Sequence, residues 1–253
     1  MKKIITAILG VSTLALSSCS TQTAPINNVA ASETISDGYV DAIATPVVIK
    51  QILADDKTPT LGSKDAKQAV VVFFDYACGR CTEISKQLNI LVDQNPSVKF
   101  IFKAYPSNTR DAKVANYATL AAYEAYLQGG QELFAAYNKA IFAQRDANGK
   151  LTNEHVDAVI KQLGVKVDQE KLKQQAVEEE LESRKLGKTI GFNGPHSMII
   201  LPTNLADMSA EDLVKNKSEI YVLPGSVTKT DFMDHKEAAK IIVDNVSAHI
   251  HNV

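Results

Sequence analysis

The stretch Val70-Val71-Val72-Phe73-Phe74-Asp75-Tyr76-Ala77-Cys78-Gly79-Arg80-Cys81 constrains the fold more than any other part of the chain. A run of β-branched and aromatic residues meets a two-cysteine step, and Ile84, Leu88 and Leu91 then recur at helical spacing. The pattern predicts strand, turn and helix, with Cys78 at the helix N-terminus. Unpaired N–H groups there concentrate partial positive charge, which favours a thiolate. A free thiol titrates near ~8.5, and a helix N-terminus with a cation nearby lowers that to roughly 3.5–7.5. Cys78 is therefore the expected nucleophile, with Arg80 as the cation between the two sulfurs. Cys81, one turn later, is placed to resolve a mixed disulfide formed on Cys78.

Two other uses of a C-x-x-C pair stay open at this point. It could be half of a zinc site, but the only other cysteine is Cys19 and no second pair exists. It could also be an inert bridge, although so short a loop constrains the unfolded chain little.

The chain has 253 residues, a formal net charge of −2 and 45% hydrophobic residues, as expected of a folded domain with room for an insertion. No basic run marks a nucleic-acid partner. Met1-Lys2-Lys3 and the apolar run Ile4 to Leu16 read as an export signal. Leu16-Ser17-Ser18-Cys19 resembles the bacterial lipoprotein signal, which implies acylation of Cys19 and attachment to a membrane through lipid. Ser20 in place of aspartate resembles the outer-membrane sorting pattern of Gram-negative lipoproteins. Export also puts the dithiol in an oxidising compartment, the periplasm, where disulfide exchange can operate.

Ser20 to about Gly38 reads as a flexible tether. Thr45-Pro46 predicts a capped short helix with Val47, Val48, Ile52 and Leu53 on its apolar face. A second strand is expected over Val98 to Ala104, parallel to the first. Helical texture then fills about Ala112 to Leu186: Val114 to Leu127, Glu132 to Ala143, Asn153 to Leu163 and Asp168 to Leu186, with turns at Gly129-Gly130 and Asp146 to Gly149. Strands are expected at Ser197 to Leu201 and Ile220 to Leu223, with a capped helical turn from Ser209 between them. A closing amphipathic helix is expected from Asp231 to Val246.

Taken together, Phe73-Phe74-Asp75-Tyr76 before Cys78-Gly79-Arg80-Cys81, the helical block after the second strand, Gly191-Phe192-Asn193-Gly194 and Leu223-Pro224-Gly225 resemble the DsbA-like branch of the thioredoxin-fold family. The resemblance implies an α/β, thioredoxin-like fold with an inserted helical domain. The expected boundaries are 1–18 signal peptide, 19–38 tether, 39–60 N-terminal extension, 61–104 first part of the core, 105–190 helical insertion and 191–253 second part of the core. It also implies an oxidoreductase that needs no cofactor and exchanges disulfides with exported, cysteine-containing proteins, recharged by a redox partner.

Two positions depart from that family. Many members carry Glu or Asp six residues before the nucleophile, and here Val72 stands there; Asp75 is an odd offset away, so strand alternation turns it to the other face, as a hydrogen-bonding residue at the strand end. The family also faces its dithiol with a cis-proline, whereas direct counting puts His196 in that place, after Pro195. A cis bond before histidine costs about 3–4 kcal/mol against about 0.5–1 kcal/mol before proline, so the expectation is a cis bond shifted to Gly194–Pro195.

Gly79, Arg80, Pro195 and His196 are the expected tuning residues around catalytic Cys78 and Cys81. A protonated His196 would favour the Cys78 thiolate; a neutral one would complete a Cys78-Cys81-His196 site for copper or zinc; a third alternative is a loop histidine turned toward solvent or the backbone. His155, His235, His249 and His251 are expected at the surface. The alternatives to an enzyme are a metal carrier on those three residues, or a non-enzymatic component of an envelope assembly.

Overall fold

The computed structural model describes residues 37–55, 57–106, 112–167, 169–225 and 234–250. The proposed signal, the lipidation candidate Cys19, most of the tether, the predicted start of the last helix and His251 lie outside them.

The centre is β2 (Gln68–Phe74), buried at all seven residues. It pairs in parallel with β3 (Lys99–Ala104) and antiparallel with β4 (Met198–Pro202). With β1 (Thr60–Gly62) and β5 (Tyr221–Leu223) at the edges, the mixed sheet has the order β1-β3-β2-β4-β5. The parallel pair needs a crossover, and α2 (Gly79–Gln94) supplies it. The helix stops at Asn95 because Pro96 disfavours a helical conformation in the residue before it.

Alternation along β2 divides the core in two. Val70, Val72 and Phe74 point into one cluster with Ile84, Leu88 and Ile242, while Ala69, Val71 and Phe73 point into another with Ile49, Ile52 and Leu186. A strand covered on both faces reads as a continuous apolar run, and each fully buried Val or Phe contributes about 1.5–3 kcal/mol.

The second cluster includes α1 (Pro46–Leu53), capped by Thr45 Oγ1, which accepts from Val48 N–H at 3.4 Å. The helix packs on the sheet through Val48, Ile49, Ile52 and Leu53. Val47, expected on the apolar face, is 68% exposed, and Ile49 occupies the core instead.

Between β3 and β4 the chain forms α3 (Ala112–Asn148), α4 (Asn153–Leu163) and α5 (Gln169–Ile190). Where a turn was expected at Gly129-Gly130, the helix kinks and resumes, with Gly130 at φ 62° and ψ −148°. The turn expected from Asp146 is likewise later: α3 runs to Asn148 and Gly149 takes φ 68°. After β4, Ser209 caps α6 (Ala210–Asn216), and α7 (His235–Ile250) packs against α2. His249 is not a free surface residue: its ring stacks on Tyr221 at a centroid distance of 3.4 Å. No helix among the described residues is long and apolar enough to cross a membrane.

Candidate active site

Cys78 is the N-cap of α2, at φ −79° and ψ 121°. Its Sγ accepts from the Cys81 backbone N–H at 3.3 Å, so the sulfur holds the place that Ser or Asp takes in an ordinary helix cap. Both cysteines are free thiols; Cys78 is half-buried and Cys81 buried. The turn before them is closed by Cys78 N–H donating to Asp75 O at 3.1 Å and Ala77 N–H donating to Asp75 Oδ1 at 2.9 Å.

The two thiols are driven apart in acidity. A hydrogen bond from the Cys81 side chain has the largest effect on Cys78 and lowers its pKa. Burial opposes it, and the hydrogen bonds from His196 and from the Cys81 N–H reinforce it, leaving Cys78 well below the ordinary thiol value. Cys81 moves well above it: burial dominates, then the hydrogen bond to Cys78, the charge on Cys78 and the charge of Asp75, with a backbone hydrogen bond from Asp75 acting the other way. This is the division of labour that an attacking and a resolving thiol require.

The loop before β4 brings in His196. Its N–H donates to Phe73 O at 2.6 Å, next to the Phe73 N–H···O Ser197 bond, so the β2–β4 ladder runs on past Met198 and delivers the imidazole to the end of β2. Nδ1 lies 3.9 Å from Cys78 Sγ, and Nε2 lies 3.3 Å from Arg80 Nη1. Arg80, expected to act on the sulfurs as a neighbouring cation, thus meets the dithiol through His196. One ring nitrogen of His196 and the two sulfurs lie within 4.8 Å of one another.

The cis bond expected before Pro195 is not present. The described peptide bonds are all trans, and the loop instead makes its turn at His196, with φ 63°. Pro195 is buried beside it, and Gly79 opens the helix without placing a side chain over the sulfurs.

Val72 does face the resolving thiol, in a small cleft that Cys81, Ile84, Leu88 and Phe102 also line, so an apolar side chain stands where the family resemblance implies a carboxylate. Asp75 is closer in effect than strand alternation implied. β2 ends at Phe74, so alternation no longer applies at residue 75, and the buried carboxylate acts on Cys81 from the turn.

Three contributors were not found in the sequence. Arg145 Nε donates to Ala77 O at 3.3 Å, Tyr76 OH donates to Asn138 Oδ1 at 3.1 Å, and Gly225 lies against the His196 ring. Arg145 and Asn138 sit on an ordinary-looking helix and carry no local signal; Gly225 was visible only within Leu223-Pro224-Gly225.

A profile of the family described as Thioredoxin matches residues 54–193, more than half of the chain. The chain belongs to the thioredoxin family. Solved structures with the same fold include three bacterial proteins. BcfH of Salmonella enterica Typhimurium has a TM-score of 0.62 and 24% identity, covering 84% of this chain and 88% of its own. The catalytic domain of Proteus mirabilis ScsC has a TM-score of 0.59 and 20% identity, covering 83% and 98%. The thiol-disulfide exchange protein α-DsbA2 of Wolbachia pipientis has a TM-score of 0.54 and 20% identity, covering 75% and 97%. No curated protein sequence matches this thioredoxin-family chain. These neighbours share the thioredoxin-type fold, and in this chain the dithiol stands at the head of α2.

Proposed function

We propose that the protein is a thiol-disulfide oxidoreductase of the bacterial envelope, tethered through lipid on Cys19, acting on the cysteines of exported polypeptides. One observation carries this reading: two free thiols one helical turn apart, with Cys78 made acidic at a helix N-cap and Cys81 held protonated behind it.

In the reducing direction the Cys78 thiolate attacks one sulfur of a substrate disulfide. The substrate S–S bond breaks, one substrate sulfur leaves as a thiolate and the other stays bonded to Cys78. Cys81 loses its proton to solvent and attacks Cys78 Sγ, releasing the second substrate thiolate and leaving the Cys78–Cys81 disulfide. Oxidation of a substrate dithiol is the reverse, and a separate thiol or disulfide partner must reset the pair.

The test is the reduction potential of the pair in glutathione buffers. A value between about −120 and −230 mV supports exchange, and one below about −300 mV indicates a structural bridge and defeats the reading. Cys78→Ser should abolish insulin reduction and dithiol oxidation.

A second reading is favoured by the approach of both sulfurs and a His196 nitrogen to within 4.8 Å. Two thiolates and an imidazole suit Cu(I) or Zn(II). Tight stoichiometric uptake by the reduced protein, weakened by His196→Ala, would support a metal carrier; unchanged uptake in that variant would count against it.

A further inference from the structure

His196 is the only non-glycine residue with left-handed φ among the described residues. An L side chain is strained there, so the surroundings must hold it in place. Two contacts do so. The His196 N–H is bound to Phe73 O, and Gly225 leaves the ring its space. A Cβ at residue 225 would lie 2.5 Å from His196 Cδ2, 2.9 Å from Nε2 and 2.7 Å from Pro195 O. Gly225 is not among the glycines with positive φ, so room for the imidazole, rather than backbone freedom, is what this position requires. Its N–H is fixed by Ser197 Oγ at 3.0 Å.

The ring's two contacts then determine where its proton sits. A guanidinium has only donors, so the nitrogen facing Arg80 Nη1 at 3.3 Å must offer a lone pair. With Nε2 accepting, the ring hydrogen is on Nδ1, the nitrogen that faces Cys78 Sγ at 3.9 Å. The sulfur, as thiolate, is the acceptor.

We propose that His196 is a neutral Nδ1–H donor to the Cys78 sulfur, held in that tautomer by Arg80 and in that place by Gly225. Arg80 and Gly225 are positioning residues for the thiolate, and His196 works as a fixed donor rather than as the imidazolium that was one of the readings open from sequence. With Nε2 engaged and Nδ1 protonated, the ring is not a base for Cys81. The inference rests on Cys78 being the attacking thiol, but its principal test does not require exchange activity.

The experiment is long-range 1H–15N correlation on the reduced, metal-free, histidine-labelled mature protein near neutral pH, with the ring assigned by comparison with His196→Phe. The expected pattern is a protonated Nδ1 and an unprotonated Nε2. Arg80→Met should move the ring toward the Nε2–H form and slow iodoacetamide alkylation of Cys78 on the order of tenfold, the loss of one hydrogen bond to a charged group. Gly225→Ala should slow alkylation similarly. If that variant does not fold, His196→Asn and His196→Phe decide. The Asn amide can place N–H where Nδ1–H stood and should keep most of the rate, while Phe should lose it. A doubly protonated or Nε2–H ring in the unsubstituted protein, or an Arg80→Met protein with unchanged tautomer and rate, overturns the proposal. If the tautomer is as stated but the protein turns over no disulfide, the oxidoreductase reading fails and the assignment of the ring stands.

Discussion

Arg145 donates its Nε–H to the carbonyl oxygen of Ala77, the residue before Cys78, across 68 positions of sequence. Its Nη1 also donates to Gly149 O, which closes the end of α3. One position on, Asp146 meets Lys86 of α2 at 2.9 Å, and further up α3 Asn138 accepts from Tyr76 OH. The helical block therefore holds the active-site turn at several points along one helix. Arg145→Met should cost about 1 kcal/mol in denaturant unfolding, since the site is only half-buried. It should also slow Cys78 alkylation severalfold, because a looser turn holds the helix cap less well. Unchanged alkylation would mean that Arg145 is a staple with no influence on the thiol.

The opposed acidities predict a pH dependence with a definite sign. The folded Cys78 is depressed below the unfolded thiol, so the reduced protein gains stability over the oxidised form as pH rises from the folded Cys78 value toward about 8.5. Cys81 is raised, so its contribution is present below about 8.5 and is lost above, where the unfolded thiol ionises. The difference in melting temperature between reduced and oxidised protein should thus grow through the neutral range and decline in the alkaline range. A flat difference from pH 5 to 8 would show that Cys78 is not acidic.

Asp75 separates charge from shape. Asp75→Asn keeps an oxygen that can accept from Ala77 N–H but removes the negative charge that raises Cys81. Cys81 in this variant should titrate lower and resolve a mixed disulfide faster, by severalfold in a quenched-flow trap. Slower resolution would instead identify the carboxylate as a proton acceptor for Cys81.

Lys103 is 2% exposed, and its ammonium is bound by Asp55 Oδ2 at 2.6 Å and Thr58 Oγ1 at 2.8 Å. Burial raises the Asp55 carboxyl, but the charge and hydrogen bonds of Lys103, Thr58 and Lys57 outweigh it and the net direction is down. The stability from Asp55 is therefore present above its unfolded value near 3.9 and is lost as pH falls through its lower folded value. Asp55→Asn should destabilise by about 3 kcal/mol, because it leaves a buried charge poorly compensated, while Lys103→Met should cost less. Equal losses, measured by urea unfolding, would argue against the burial penalty.

Gly130 sits at φ 62° and ψ −148°, a region open in practice only to glycine. A Cβ there meets no atom within 4 Å, so Gly130→Ala tests backbone strain alone. It should cost about 1–3 kcal/mol. A neutral result would show that the kink relaxes.

Much of this was legible from local patterning. The continuous apolar run of β2, the cysteine at the head of α2 and the capped helices at Thr45 and Ser209 are short-range consequences of residue type, and they stand within a residue or two of expectation. Where expectation failed, a rule had been carried past its range. Val47 lost its place to Ile49 because helix rotation is set by what the helix packs on. Asp75 was assigned by strand alternation although the strand had already ended. The cis bond was inferred by analogy at a position where the loop turns through His196 instead.

The sequence by itself determined that two thiols stand one turn apart at a helix N-terminus, because that follows from spacing of three residues and the start of a helical period. Only the tertiary structure decided what surrounds them. His196 is 118 positions from Cys78, Arg145 is 68 from Ala77, and Gly225 meets His196 just beyond the Met198–Leu223 end of the β4–β5 pair. These contacts depend on the register of β4 against β2 and the packing of α3 on α2, and those are settled by the summed burial of two cores rather than by any local motif.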